Sequence, residues 1–246
     1  ILSPKNKISI ENVSFNYDKK EEFALNELNM EIPVKNVIGI VGSSGSGKST
    51  LIDIFLGLIK PKKGHLKVDD TVIDDHNKRS WQNNIGFVAQ SIFLSDSSIA
   101  ENVAFGIPKD KIDTERVLKS LELAHLLELV EGFKDGIYTQ VGERGVQLSG
   151  GQRQRIGIAR SLYHGAEILI FDEATSSLDG ITEKMIMQAI HEFSGEKTII
   201  LIAHRLKTVE KCDQIFFMDK GSIVDQGTYI DLFEKNKLFR NMADHA

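Results

Sequence analysis

Polar and apolar residues alternate from Lys7 to Tyr17, the period-two signature of a half-buried strand. A charged turn, Asp18-Lys19-Lys20-Glu21-Glu22, leads to a second strand over Ala24–Ile32, and Pro33-Val34-Lys35-Asn36 turns the chain into the wholly apolar Val37-Ile38-Gly39-Ile40-Val41. The amino end is therefore expected to be β-rich. Leu51–Leu56 reads as a helix, Pro61-Lys62-Lys63-Gly64 as a breaker, and Leu66–Val68 with Val72–Ile73 as a short strand pair. Ile85–Ala89 is another buried strand and ends at Gln90. From Ser98 to about Val130 the period becomes helical, with Leu118, Leu121, Leu126 and Leu129 spaced for one apolar face. Such a stripe is more often core than a partner surface. Gly132–Gly145 is a loop rich in glycine and charge, after which Leu148-Ser149-Gly150-Gly151-Gln152 opens a helix through Arg160. Glu167–Phe171 is a continuous apolar run ending in Asp172-Glu173, the pattern of a strand in a parallel sheet. Thr182–Phe193 is a helix, Lys197–Ala203 a strand ending at His204, and Gln214–Met218 with Ser222–Asp225 a hairpin closed by Asp219-Lys220-Gly221. Tyr229–Ala246 is a mixed helical tail.

Composition narrows the function classes. A chain of 246 residues, 41% hydrophobic, can bury one large core or two modest ones, which sets disorder aside. Its 30 basic and 35 acidic residues are dispersed, with a net charge of -5, so no basic block or polybasic patch is present. No nucleic-acid partner is expected. Cys212 is the only cysteine, which rules out an intrachain disulfide or a cysteine metal site and fits a reducing compartment. No apolar run approaches the roughly 20 residues that cross a bilayer. The start, Ile1-Leu2-Ser3-Pro4-Lys5, reads as neither signal peptide nor initiator methionine, so the chain is expected to be a piece of a longer one.

The chemistry centres on Gly42-Ser43-Ser44-Gly45-Ser46-Gly47-Lys48-Ser49-Thr50, set between an apolar strand and a helix start, the context a phosphate-binding loop requires. Glycines let the backbone wrap an anion with several N–H groups pointing inward, and the helix adds its positive end. Lys48 is then expected on the β- and γ-phosphates of a nucleotide and the Ser49 hydroxyl on Mg²⁺. A glycine-rich turn that binds nothing is the plain alternative. Asp172, at the carboxyl end of a parallel strand, supplies a second anchor for Mg²⁺, and Glu173 beside it suits a base that accepts a proton from the attacking water. By themselves the two acids equally suit a solvated turn or helix cap.

Taken in order, the phosphate loop, Leu148–Gln152, Asp172-Glu173-Ala174-Thr175-Ser176-Ser177-Leu178-Asp179 and Ala203-His204-Arg205 resemble the nucleotide-binding domain of ABC proteins over essentially the whole chain. The resemblance implies an α/β fold: a P-loop NTPase (RecA-like) core with an antiparallel β subdomain and an inserted α-helical subdomain. Residues 1–90 and 161–246 are expected to form the ATP-binding core with the β region, and 91–160 the helical part carrying Leu148–Gln152. It also implies that two such domains pack head to tail around two ATP molecules, each phosphate loop facing the partner's Ser149, Gly150, Gly151 and Gln152. Those residues at a helix start offer a hydroxyl, backbone N–H groups and the helix dipole to a γ-phosphate, although an ordinary N-cap has the same sequence. Residue by residue, Tyr17 matches the aromatic that stacks on adenine, Gln90 the glutamine that reaches Mg²⁺ and water, and His204 the histidine at the γ-phosphate. Asp179 matches the aspartate that crosses the dimer seam. An isolated tyrosine or histidine at a strand end would more often be structural.

Two further segments resemble those of ABC exporters. Gln140-Val141-Gly142-Glu143-Arg144-Gly145 is similar to the cross-linking loop, and Ser98-Ile99-Ala100-Glu101-Asn102-Val103 to the segment that meets coupling helices. Charged loops without a partner are the alternative. The resemblance thus implies an ATPase that powers export or flipping through a transmembrane domain fused upstream, on the cytoplasmic face of a bacterial inner membrane. A soluble ABC ATPase of chromosome maintenance or cofactor assembly, or a nucleotide switch with little hydrolysis, are the competing expectations. Departures from the family pattern are small. Asn36 stands where glycine is common and tolerates a left-handed backbone, Ser177 replaces an alanine, and Ala166 a proline.

Overall fold

The structure, a computed structural model, describes residues 2–17, 23–145, 147–173 and 180–244. The charged turn Asp18–Glu22 and the stretch from Ala174 to Asp179, and with them the expected roles of Ser177 and Asp179, lie outside the described residues. In chain order the elements are β1 (Lys7–Phe15), β2 (Leu25–Pro33), β3 (Val37–Gly42), α1 (Lys48–Phe55), β4 (Lys63–Val68), β5 (Thr71–Val72), α2 (Lys78–Gln82) and β6 (Ile85–Val88). They continue with α3 (Ile99–Val103), α4 (Thr114–Leu123), α5 (Leu127–Glu131), α6 (Gly150–Tyr163), β7 (Ile168–Asp172), α7 (Gly180–Glu192) and β8 (Thr198–Ala203). The last are β9 (Gln214–Asp219), β10 (Ser222–Gly227), α8 (Tyr229–Lys235) and α9 (Lys237–Asp244). Two compact units result: Ile1–Ile85 with Ser194–Ala246, and Gly86–Phe193. The second is wider than the 91–160 expected for the helical part, because it also takes in β7, α7 and nearly all of β6.

In the first unit, β2-β1-β4-β5 form an antiparallel sheet. Strand β1 places Ile8 opposite Ile32 and Val68, and Ile10 opposite Met30 and Leu66, all buried. The alternation in sequence predicts one wet face, but Ser9 and Ser14 are buried too, because β1 is covered on both edges and its register shifts after Ile10 and Val13. The Ser14 hydroxyl accepts from the Glu27 amide at 3.0 Å, so its burial is satisfied. Strand β4 begins before Gly64 rather than after it. At φ +73° Gly64 lies against the bulged β1, where a side-chain carbon would come within 2.3 Å of the Asn12 carbonyl.

The same unit carries the strand order β10-β9-β3-β8. All six residues of β3 and all six of β8 are buried, and β3 runs parallel to β8 and β9, with Val41 beside Ala203 and Gly42 beside Met218. Its entry is held by Asp213, whose carboxylate accepts from the Val37 amide at 2.7 Å. In the preceding turn Lys35, not Asn36, takes the left-handed backbone, at φ +64°, and its amide donates to Thr198 Oγ1 at 2.8 Å. The β9–β10 turn has Lys220 and Gly221 both at positive φ, the geometry that matches strand twist in a two-residue hairpin. Helix α2 was not foreseen. Its buried Trp81 donates through Nε1 to the Phe55 carbonyl at 2.7 Å and sets its ring edge-on to Phe55, closing the carboxyl end of α1.

In the second unit β6 and β7 are neighbours, and the expected helical stretch divides into α3, α4 and α5. Asp113 caps α4 by accepting from the Arg116 amide at 3.0 Å. The apolar face of α4 runs through Val117 and Leu121, while Leu118 is 36% exposed, so the leucine spacing placed the stripe one residue off. Leu126 and Val130 are buried.

Candidate phosphate-binding site

Within the first unit the loop from Gly42 to Thr50 joins buried β3 to α1. The Ser46 amide donates to the Ser43 carbonyl at 3.1 Å, closing a turn, and Gly47 starts α1 with φ +103°. Only glycine suits that position, since a side-chain carbon there would meet the Ala24 carbonyl at 2.6 Å. No side chain caps α1 and no acid occupies its first turn, so the helix offers its amides and positive end outward. Lys48, 6% exposed, donates through Nζ to the Gly42 carbonyl at 2.7 Å and the Ser43 carbonyl at 3.0 Å. The loop thus wraps its own cation. Ser43, Ser44, Gly45 and Ser49 are exposed above it, and the space over Gly45 is open for 4 Å.

Two more expected residues belong to this unit. Tyr17 lies past the end of β1, 44% exposed; its hydroxyl shares a 3.1 Å hydrogen bond with Thr50 Oγ1 and its ring packs edge-on against Phe15. The hydroxyl thereby ties the ring to the phosphate loop's own helix. His204 is exposed and directly follows Ala203, so it leaves β8 beside the strand that delivers the loop.

The second unit holds the remaining candidates. Glu173 ends β7 in a left-handed conformation, φ +49°, a strained choice for a residue with a side chain. Gln90 donates through Nε2 to its Oε2 at 3.2 Å, which brings together the expected water-orienting amide and the expected base. Asp172 is half-buried next to it. Ser149 is the exposed N-cap of α6: its hydroxyl accepts from the Gln152 amide at 3.2 Å, and Gln152 Oε1 accepts from the Ser149 amide at 2.9 Å. This capping box leaves the Ser149 hydroxyl proton to donate outward. Gly150 is half-buried and Gly151 buried.

The two exporter-like segments are tied to each other in this unit. Ser98 pairs with Gln140 in an antiparallel bridge, the Ile99 amide donates to the Thr139 carbonyl at 3.0 Å, and the Val141 amide to Ser97 at 3.1 Å. Sequence reasoning missed the residues that brace this region. Asn102 is fully buried and its carboxamide joins Ser95, Ser97 and Ser98. Arg160 of α6 donates to the carbonyls of Asn102 at 2.9 Å and Phe93 at 3.1 Å and covers the Phe105 ring. Burial lowers the Arg160 guanidinium pKa from its usual value, though it stays charged. Neither carries a signal in the sequence, where a polar residue on a buried helix face reads like one on a wet face.

The expected cofactors suit these groups. The proposed ligands for Mg²⁺, Ser49, Gln90 and Asp172, offer hydroxyl, amide and carboxylate oxygens, the donors a hard cation takes alongside phosphate oxygens and water. Among the described residues no cluster of three or more histidines, cysteines or acids is placed to hold a metal ion. No helix among them is long and apolar enough to cross a membrane.

Residues 25–176 match the model of the ABC transporter family. Over 238 residues the chain is 38% identical to the ATP-dependent lipid A-core flippase of Vibrio vulnificus (strain CMCP6), covering 97% of this chain and 41% of that protein. It is 40% identical over 239 residues to the protein of that name from Shewanella frigidimarina (strain NCIMB 400), covering 96% of this chain and 39% of the relative. Among solved structures, a bacterial Atm1-family ABC exporter with ATP bound matches with a TM-score of 0.91 at 33% identity, covering 100% of this chain and 42% of the exporter. The chain spans about two fifths of the length of the curated relatives it matches.

Proposed function

This chain belongs to the ABC transporter family, and from that membership we propose that it binds Mg·ATP, hydrolyses it, and powers export or flipping of a substrate through a transmembrane domain. Its fold is the P-loop NTPase core of an ABC ATPase, with an antiparallel β subdomain and helices inserted. The observation that carries the reading is the loop built around Lys48, a buried ammonium under exposed amides at an uncapped helix start. Tyr17 offers its ring to the base, and Lys48 with loop amides other than that of Ser46 takes the phosphates. Ser49, Gln90 and Asp172 are the proposed ligands of Mg²⁺, which when bound neutralises charge on the β- and γ-phosphates. Glu173 Oε2, aligned by Gln90, accepts the proton of the attacking water, and His204 holds the γ-phosphate. Most of the rate comes from positioning and charge neutralisation.

In the same reading two copies close head to tail over two ATP molecules. Ser149 donates its outward proton, with the Gly150 amide and the α6 dipole, to the partner's γ-phosphate; Gly151 and Gln152 shape that helix start. Hydrolysis reopens the pair. The intact protein then acts as a translocase on the cytoplasmic face of a bacterial inner membrane, its transmembrane part meeting the bridged segments at Ser98 and Gln140. The flippase relatives and the exporter match support this reading over a soluble ABC ATPase of chromosome maintenance or cofactor assembly. Cargo binds outside this chain, so the relatives' names bear on the kind of work and not on its substrate.

The test is the mass of the Glu173→Gln chain in solution, by sedimentation, with and without Mg·ATP, together with its ATP turnover. Glutamine keeps an oxygen for Gln90 but cannot take a proton, so turnover falls by about 10²–10⁴ while ATP binding persists and monomer becomes dimer. Turnover near the unaltered rate removes the base role of Glu173. A chain that binds ATP yet stays monomeric removes the sandwich as a property of this chain alone.

A further inference from the structure

One buried polar side chain in the second unit bonds to the backbone beside a candidate site residue. Gln154, on α6, is 4% exposed. Its Nε2 donates to the Gln90 carbonyl at 2.8 Å and the Ala89 carbonyl at 3.2 Å. Its Oε1 is buried and has no hydrogen-bond partner among the described residues. Both neighbours are acceptors, so only the NH₂ end of the amide can face them, and the orphaned oxygen is the consequence. Leaving a buried acceptor unpaired is costly, but a methionine of similar volume would take the donor away from both carbonyls. What glutamine adds is a two-point hold on the backbone that carries Gln90, whose own side chain reaches Glu173.

We propose that Gln154 is a positioning residue for ATP hydrolysis: it fixes the backbone at Ala89 and Gln90, so that the Gln90 amide holds the Glu173 carboxylate in register. This rests on the reading of Glu173 as the base. Because Gln154 rides on the helix that Ser149 begins, a shift of α6 is passed to Gln90 through the same two bonds. A nucleotide held at Ser149 thereby orients the base belonging to that same chain.

The experiment is steady-state ATP turnover of the full-length protein in four forms: unaltered, Gln154→Met, Gln90→Ala, and the double variant. Gln154→Met is expected to lower kcat about tenfold, the size of coupling common between touching residues, with KM for ATP within about twofold. On the Gln90→Ala background it is expected to add less than about twofold, since no side chain remains to be positioned. Gln154→Leu supplies a second variant if the methionine form folds poorly: it also lacks the two donors, and its loss of kcat should likewise shrink to less than about twofold on the Gln90→Ala background. Equal losses in both backgrounds or an unchanged kcat overturns the proposal and leaves the base role standing. A Glu173→Gln protein that still turns over normally overturns both.

Discussion

Replacing Asn102 by alanine tests whether the exporter-like segment is held by a single buried carboxamide. Asn102 is 0% exposed. Its Nδ2 donates to the Ser95 carbonyl at 3.0 Å, Ser98 carbonyl at 3.1 Å and Ser97 Oγ at 3.2 Å, and its Oδ1 accepts from the Ser95 amide at 2.9 Å. Hydroxyls rotate to other partners, and the Ser98 carbonyl keeps the Asn102 amide at 3.0 Å. The Ser95 carbonyl keeps the Ser97 amide at 2.8 Å, and the Ser95 amide alone loses its partner. An uncompensated buried amide costs about 1–3 kcal/mol. With about 1 kcal/mol for the lost volume, Asn102→Ala should weaken the second unit by about 2–4 kcal/mol. Hydrogen exchange resolves this: the amides of Ile99, Asn102 and Val141 should exchange about 30 to 700 times faster, while β3 amides are unchanged. Acceleration below about threefold would refute the reasoning. Asn102→Asp is the sharper control. Burial raises the folded pKa of the new carboxyl, so the variant is least stable above the ordinary aspartate range near pH 4 and recovers as pH falls and the group can again donate.

Other outcomes follow from single residues. Burial pushes the Cys212 thiol up to about 12, so a thiol reagent at neutral pH should label it only on unfolding; rapid labelling of the native chain would contradict its placement. The hydrogen bonds from Ser98 hold the Glu101 carboxyl below its usual range. Its folded pKa is lowered, so the α3 cap contributes above the unfolded value near 4.3 and is lost as pH falls through the folded value, which exchange of the Glu101 amide would follow. Lys48→Met removes the ammonium within the phosphate loop and should weaken ATP binding by roughly 10- to 100-fold, measured by calorimetry, without unfolding the chain.

Local chemistry reveals itself in sequence when neighbours in the chain are neighbours in space. The phosphate loop is such a case: strand, glycines, lysine and helix start are consecutive, and each φ > 0 position in it is a glycine that the sequence displays. The capping box from Ser149 to Gln152 is four residues long and equally visible. The apolar runs of β3 and β8 announced buried parallel strands and that of β7 a buried strand, because a strand covered on both faces cannot carry alternating polar residues.

Long-range pairing decided the rest. Burial of Ser9 and Ser14 depended on β1 lying between β2 and β4, and the left-handed turn fell on Lys35 because Thr198, 163 residues away, receives its amide. A polar residue on a buried helix face looks the same in sequence as one on a wet face. Only packing showed that Asn102, Gln154 and Arg160 spend their hydrogen bonds on backbone carbonyls 4 to 67 residues distant. The sequence by itself determined which residues could hold a nucleotide, since that chemistry is written in contiguous motifs. The tertiary structure decided what holds those motifs still, since a bond between distant segments exists only once the chain has closed on itself.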